Sequence, residues 1–91
     1  MKVHIIEDKE PTLEHLQKLV GGYIEVYYVN KMQIVLNEEG VILNLPVNKK
    51  AMDYIEKDFN KHIKTGGFKI STLRGDVVIL KGKGKLKWDI F

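Results

Sequence analysis

The 91-residue chain contains no cysteine. That absence removes disulfide bonding, thiolate nucleophiles and cysteine-ligated zinc together. Serine is nearly as scarce: Ser71 is the single one, and nothing around it resembles a Gly-x-Ser-x-Gly elbow. There are two prolines, Pro11 and Pro46, and no repeat, low-complexity tract or linker-like stretch, so one domain is expected. No apolar run approaches the roughly 20 residues needed to cross a bilayer. The opening MKVHIIEDKE holds too short an apolar run, followed by acid, to serve as a secretory signal. The expected location is the cytoplasm, with no membrane partner.

The three histidines, His4, His15 and His62, fall on separate elements without HExxH or similar spacing. Even with Glu7, Asp8, Glu10 and Glu14 nearby in sequence, they do not form the three or four convergent ligands a metal needs. Glu38 and Glu39 are adjacent acids in a turn, a pattern that solvation explains without acid–base chemistry. No metal, cofactor or catalytic residue is expected, and the chain reads as non-enzymatic.

What is present is an ordinary globular composition, 44% hydrophobic and 30% charged. A domain of this size buries roughly 60–65% of its unfolded surface, enough for one modest core. The net charge of +3 conceals an asymmetry. Residues 1–45 hold four lysines against seven acids, and residues 46–91 hold eleven basic residues against five acids. A basic face or edge with an acidic counterpart is one reading; an ordinarily solvated surface is the other.

Periodicity divides the chain into alternating elements. Residues 1–6 read as a strand with Val3 and Ile5 on its inner face and Lys2 and His4 outside. Pro11 suits the first turn of a helix in which Leu13, Leu16, Leu19 and Val20 form the apolar stripe, and Gly21-Gly22 ends it. Three strands are then expected. The first, 23–29, sets Ile24, Val26 and Tyr28 against Tyr23, Glu25 and Tyr27; the second places Met32, Ile34 and Leu36 inward; the third places Val41, Leu43 and Leu45 inward. Asn30-Lys31 and Glu38-Glu39-Gly40 are the turns between them. Asn48 is a good N-cap for a helix presenting Ala51 or Met52, Ile55, Phe59 and Ile63, stopped by Thr65-Gly66-Gly67. A minor strand at 68–70 precedes Val77–Leu80, which is apolar on both faces and so interior to the sheet.

A glycine-rich turn at 81–84 then leads into 85–91, with Leu86, Trp88 and Ile90 inward, as a terminal hairpin. The expected fold is α+β: an antiparallel twisted sheet of about five to six strands packed by two amphipathic helices, in the order β-α-β-β-β-α-β-β. Its open edges make a homo-oligomer formed through the sheet edge an expectation.

Two surfaces stand out. Lys81-Gly82-Lys83-Gly84-Lys85 alternates cations with residues whose amides can approach an anion closely, and Lys87 and Arg74 extend the patch. It is no Walker loop, which needs GxxxxGK and a Ser or Thr before a helix. The alternative is a hairpin whose lysines guard a sheet edge. Tyr23, Glu25 and Tyr27 share one strand face and form a candidate interaction surface, although Glu25 would repel a phosphate backbone. Arg74-Gly75-Asp76 reads as a turn leading into a strand.

The segments GGYIEVYYV, NEEGVILNLPVN and RGDVVIL carry a resemblance. In the positions Gly21 to Val26, Asn37 to Gly40, Leu45 to Asn48 and Gly75-Asp76, the chain resembles domain of unknown function 3846, over about two thirds of its length. Residues 81–91 find no place in that pattern. The family occurs in bacteria and their viruses, so the resemblance implies a phage or mobile-element accessory protein acting in the host cell, with a counter-defence role. It supplies no catalytic residues. The expected function is to bind and occupy or sequester a host component, either a host protein or an anionic signalling nucleotide. A nucleic-acid-binding accessory factor using the basic C-terminal segment, and an enzyme acting on nucleotides, are the alternatives.

Overall fold

A computed structural model describes residues 1–29, 31–62 and 73–87, of which 58–62 by backbone alone. The expectations placed on Asn30, the Phe59 side chain, Ile63, residues 65–67, the minor strand at 68–70, Ser71, Trp88 and Ile90 lie outside what is described.

The first helix, α1 (Leu13–Val20), begins where the sequence supplies a cap. Thr12 takes an extended backbone, and its hydroxyl accepts the His15 amide at 3.1 Å. Pro11 is buried one residue ahead of this cap rather than inside the first turn. Leu16 and Val20 face the core, Leu19 is half-buried and Leu13 is exposed, so the working stripe is narrower than its spacing implied. Gly21 closes the helix in the left-handed conformation, φ 79°, with the Gly21 and Gly22 amides both donating to the Gln17 carbonyl.

Four strands, β1 (Val3–Ile6), β2 (Ile24–Val29), β3 (Met32–Asn37) and β4 (Val77–Leu80), form one sheet in the order β1-β4-β3-β2. β2 and β3 are an antiparallel hairpin, β3 and β4 are antiparallel, and β1 runs parallel to β4 with Val3 opposite Val77 and Ile6 opposite Leu80. The sheet is therefore mixed and four-stranded among the described residues, not an antiparallel sheet of five or six. Composition explains the order. β3 and β4 are buried along their whole lengths and need neighbours on both edges and cover on both faces. β1 carries His4, and β2 carries Glu25, Tyr27 and Tyr28, which suits edges.

Each face of the sheet takes one helix. On one, Leu16 and Val20 of α1 pack on Ile24, Val26, Val35, Val78 and Leu80. On the other, Ala51 and Ile55 of α2 (Lys49–His62) pack on Met32, Ile34, Leu36, Val77 and Ile79, with Leu73 and Val29. Two expected core residues are corrected: Ile5 is exposed at the outer edge of the sheet, on β1, and Leu43 is exposed in a loop. Tyr28, aligned in sequence with Ile24 and Val26, is exposed at the end of the other edge strand.

Of the two strands expected at 41–45 and 85–91, the first does not form and the second is absent through residue 87, for one reason. Residues 41–45 would have to pair with β3, and 85–87 with β4, but both edges of each are already occupied. Residues 38–44 instead wind through turns, with the Leu43 amide donating to the Glu39 carbonyl at 2.8 Å and Asn44 at φ 51°. After β4 comes a short 3-10 turn, Gly82–Gly84, and no hairpin forms through residue 87. Leu86 nonetheless reaches the α1-side core, held by a reciprocal pair: the buried Gln33 side chain donates to the Leu86 carbonyl (3.2 Å) and accepts its amide (2.6 Å). Gly84 is packed so closely on the end of β1 that an added Cβ would lie 2.2 Å from the Ile6 carbonyl oxygen.

Asn48 does more than cap α2. Fully buried, it accepts the Ala51 amide on Oδ1 (3.0 Å) while its Nδ2 donates to the carbonyls of Lys2 (3.0 Å) and Gly75 (2.9 Å). Its own backbone amide donates to the Leu73 carbonyl at 2.8 Å. Asn48→Ala strands the buried Gly75 carbonyl and one helix amide, takes one of two donors from the Lys2 carbonyl, and should cost roughly 3 kcal/mol. Asn48→Asp keeps the cap but turns an acceptor toward the two carbonyls, so denaturant unfolding should show at least as large a loss. A wild-type midpoint for Asn48→Asp would show that the bonds to Lys2 and Gly75 contribute nothing. The same assay should separate two glycines. Gly21→Ala meets no atom within 4 Å and should cost only the left-handed strain, about 1 kcal/mol. Gly84→Ala must displace the end of β1 and should cost about 2 kcal/mol or more; equal losses would contradict the close approach.

Candidate functional site

The lysine-rich segment keeps its cations close in sequence but uses them unequally. Lys81 is committed internally: its ammonium donates to the Tyr54 hydroxyl at 2.9 Å and lies 3.9 Å from the Glu7 carboxylate. The ammonium is 5.5 Å from the Tyr54 ring centre. That is nearly the hydroxyl's own distance from the centre plus the hydrogen bond, so it sits near the ring plane beyond the oxygen, and the contact is a hydrogen bond rather than a cation–π stack. The ion pair is solvent-exposed and weak.

Lys83 and Lys87 are exposed and Lys85 is half-buried. The Lys87 backbone amide donates to Glu10 at 2.9 Å, which brings a carboxylate into the segment. Gly84 serves the approach to β1, and Gly82 takes a left-handed φ of 53° that forms the turn, so both glycines have structural work independent of any anion. Arg74 is not brought to this cluster. It lies beyond the opposite end of β4, where its guanidinium donates to the Leu45 carbonyl at 2.9 Å.

Tyr23, Glu25 and Tyr27 do share a face of β2, as alternation requires. Tyr23 is exposed, while the Tyr27 hydroxyl donates to the Glu25 carboxylate at 2.5 Å. That bond occupies the acid with a neighbour on its own strand.

A third region had no signal in the sequence. Where β1 runs beside the first turns of α2, a groove of about 530 Å³ is lined by residues 1–5 together with Lys50 and Tyr54. Its walls are set by Asn48, which joins the start of α2 to the Lys2 carbonyl. Its floor includes Val3 and the exposed Ile5, and Lys2 and Lys50 are its cations; no acid lines it. The Lys2 and Ile6 carbonyls accept the amides of Val77 and Lys81 and so face β4. By strand alternation, the amide and carbonyl groups of Val3 and Ile5 face the outer edge. Among the described residues no strand pairs with that edge. His4, expected on a solvated face, is half-buried and lines the groove. Finding this site from sequence would have required the parallel β1–β4 pairing, which joins residues more than seventy positions apart.

Among the described residues no three His, Asp or Glu side chains converge as metal ligands would. Among them, too, no helix is long and apolar enough to cross a membrane. The groove offers backbone hydrogen bonds, apolar contact and positive charge.

No curated protein and no solved structure matches the chain. A family model does, over residues 1–87, which takes in the segment 81–87 that the sequence motifs could not place. With all but the last four residues inside that match, the chain belongs to the family described as domain of unknown function DUF3846.

Proposed function

We propose that this is a non-enzymatic binding protein, of phage or mobile-element origin, that occupies a host protein by taking an extended segment of it along the outer edge of β1. The observation that carries this reading is the open edge of β1 beside a groove with an apolar floor and cationic walls. A guest strand would bond to the outward backbone groups of Val3 and Ile5, and main-chain pairing of this kind supplies affinity without demanding a unique sequence. Specificity comes from alternate side chains. Those entering the groove meet Ile5 and Tyr54, and those near its rim meet Lys2 and Lys50 with no competing acid in the lining. The preferred occupant is thus an extended segment alternating apolar residues with Asp or Glu. Sequestering such a segment would mask whatever the host protein uses it for, which is how a counter-defence role would operate.

Selection from a displayed library of random peptides tests this. Enriched sequences should alternate apolar and acidic residues. Lys50→Glu should weaken them about fivefold, the scale of a surface charge contact. Ile5→Pro removes an outward amide without touching the β4 ladder, so it should abolish binding while the domain stays folded. Enrichment of basic or helix-patterned peptides, or binding indifferent to both variants, would sink the proposal. A stoichiometric nucleotide or oligonucleotide complex lost with Lys83→Glu and Lys87→Glu would instead move the site to the lysine segment.

A further inference from the structure

We infer that the loop after β3 is a self-complementary contact through which a second copy of this chain docks about a two-fold axis. Val41, Ile42 and Leu43 are 74%, 82% and 53% exposed, three successive aliphatic side chains turned to solvent. Tyr23, 68% exposed, stands beside the chain leading to them, since its carbonyl accepts the Glu38 amide at 2.9 Å. The three aliphatic side chains make an apolar patch of the few-hundred-Å² size that marks an interaction site on small proteins.

The loop is built to hold this display. The Leu45 amide donates to the Gly40 carbonyl at 2.9 Å, and Asn44 to Val41 at 3.0 Å. The Glu39 amide is held by the buried Asn37 side chain at 2.8 Å. Arg74 ties the far side through the Leu45 carbonyl and a bridge to Val47. Asn44 is the one non-glycine residue at positive φ among those described, a conformation that costs roughly 1 kcal/mol and that these bonds sustain. An apolar tip fixed in this way loses little entropy on docking.

Charge identifies the occupant. Exposed Glu38 and Glu39 stand on the chain just before the tip, and exposed Lys49 just after the loop at the start of α2. The Glu38 amide is bonded to Tyr23 on the β2 side of the sheet and Asn48 to the Lys2 carbonyl on the β1 side, so the acids and Lys49 flank the tip. A two-fold axis through the tip sets the acids of one copy against the lysine of the other. A foreign partner would have to bring both halves of that pattern; a second copy carries them already. The patch is smaller than the roughly 800 Å² per partner of a standard interface, so the dimer should be reversible, with a dissociation constant around micromolar. This contact is separate from the β1 groove and leaves its edge open.

Sedimentation velocity across a concentration series tests the inference. The wild-type protein should pass from monomer to dimer. Ile42→Asp should remain monomeric with unchanged thermal stability, because Ile42 buries almost nothing within its own chain. Glu39→Lys and Lys49→Glu should each weaken the dimer about fivefold or more, and the double variant should recover it. A wild-type monomer at all concentrations, a dimer indifferent to Ile42→Asp, or single charge reversals that neither weaken nor rescue one another would overturn it. A dimer broken only by substitutions on β2 would assign self-association to the sheet edge instead.

Discussion

Two strands that are buried on both faces dictate the arrangement of everything else. β3 and β4 cannot lie at an edge, because each face of each strand must be covered and each row of backbone groups must be paired. Once they sit side by side, one free edge remains on each. β2 takes the first through a tight hairpin, and β1 takes the second from the far end of the chain. No place is left beside β3 for the aliphatic run that follows it, or beside β4 for the basic segment that follows it. Both are displaced to the surface, and the candidate sites are built from that displacement and from the edges.

Three buried side-chain amides then lock the elements to one another. Asn48 joins α2 to β1 and to the approach to β4. Asn37, at the end of β3, donates to the Val20 carbonyl at the end of α1. Gln33 stands in for a strand partner to Leu86 and so anchors the segment after the 3-10 turn. Each amide offers a donor and an acceptor at once, which lets it satisfy two backbone groups that no regular element reaches. Among the described residues no buried side-chain polar atom is left without a partner. Helices and sheet are thus positioned by directed bonds as well as by apolar packing.

Local features were legible because their causes are local. The Gly21 stop of α1, the Asn48 cap, the buried face of β3 and the interior place of β4 follow from residue type and spacing within a few positions, whereas Pro11 set the expected start of α1 ahead of its Thr12 cap. Partner choice is not local. Nothing in Val41-Ile42-Leu43 reveals that β3 has already committed both edges, so an aliphatic run with strand propensity reads as a strand. The lysine segment was visible as composition, but the commitment of Lys81 to Tyr54 and Glu7 depends on where α2 crosses the ends of β1 and β4. The groove was invisible for the same reason, being formed by elements brought together only through the longest-range pairing in the sheet.

That pairing also sets an order of events during synthesis. β1 leaves the ribosome first, yet its only partner among the described strands is β4, whose last residue is Leu80. The β2–β3 hairpin and α1 can associate early, since their contacts are short-range, while the second central strand can be inserted only when nearly the whole domain has emerged. Throughout that interval β1 is without the one strand that pairs with it among the described residues. The strand whose outer edge stays unpaired in the folded domain is therefore also the one that waits longest for a partner on its inner edge.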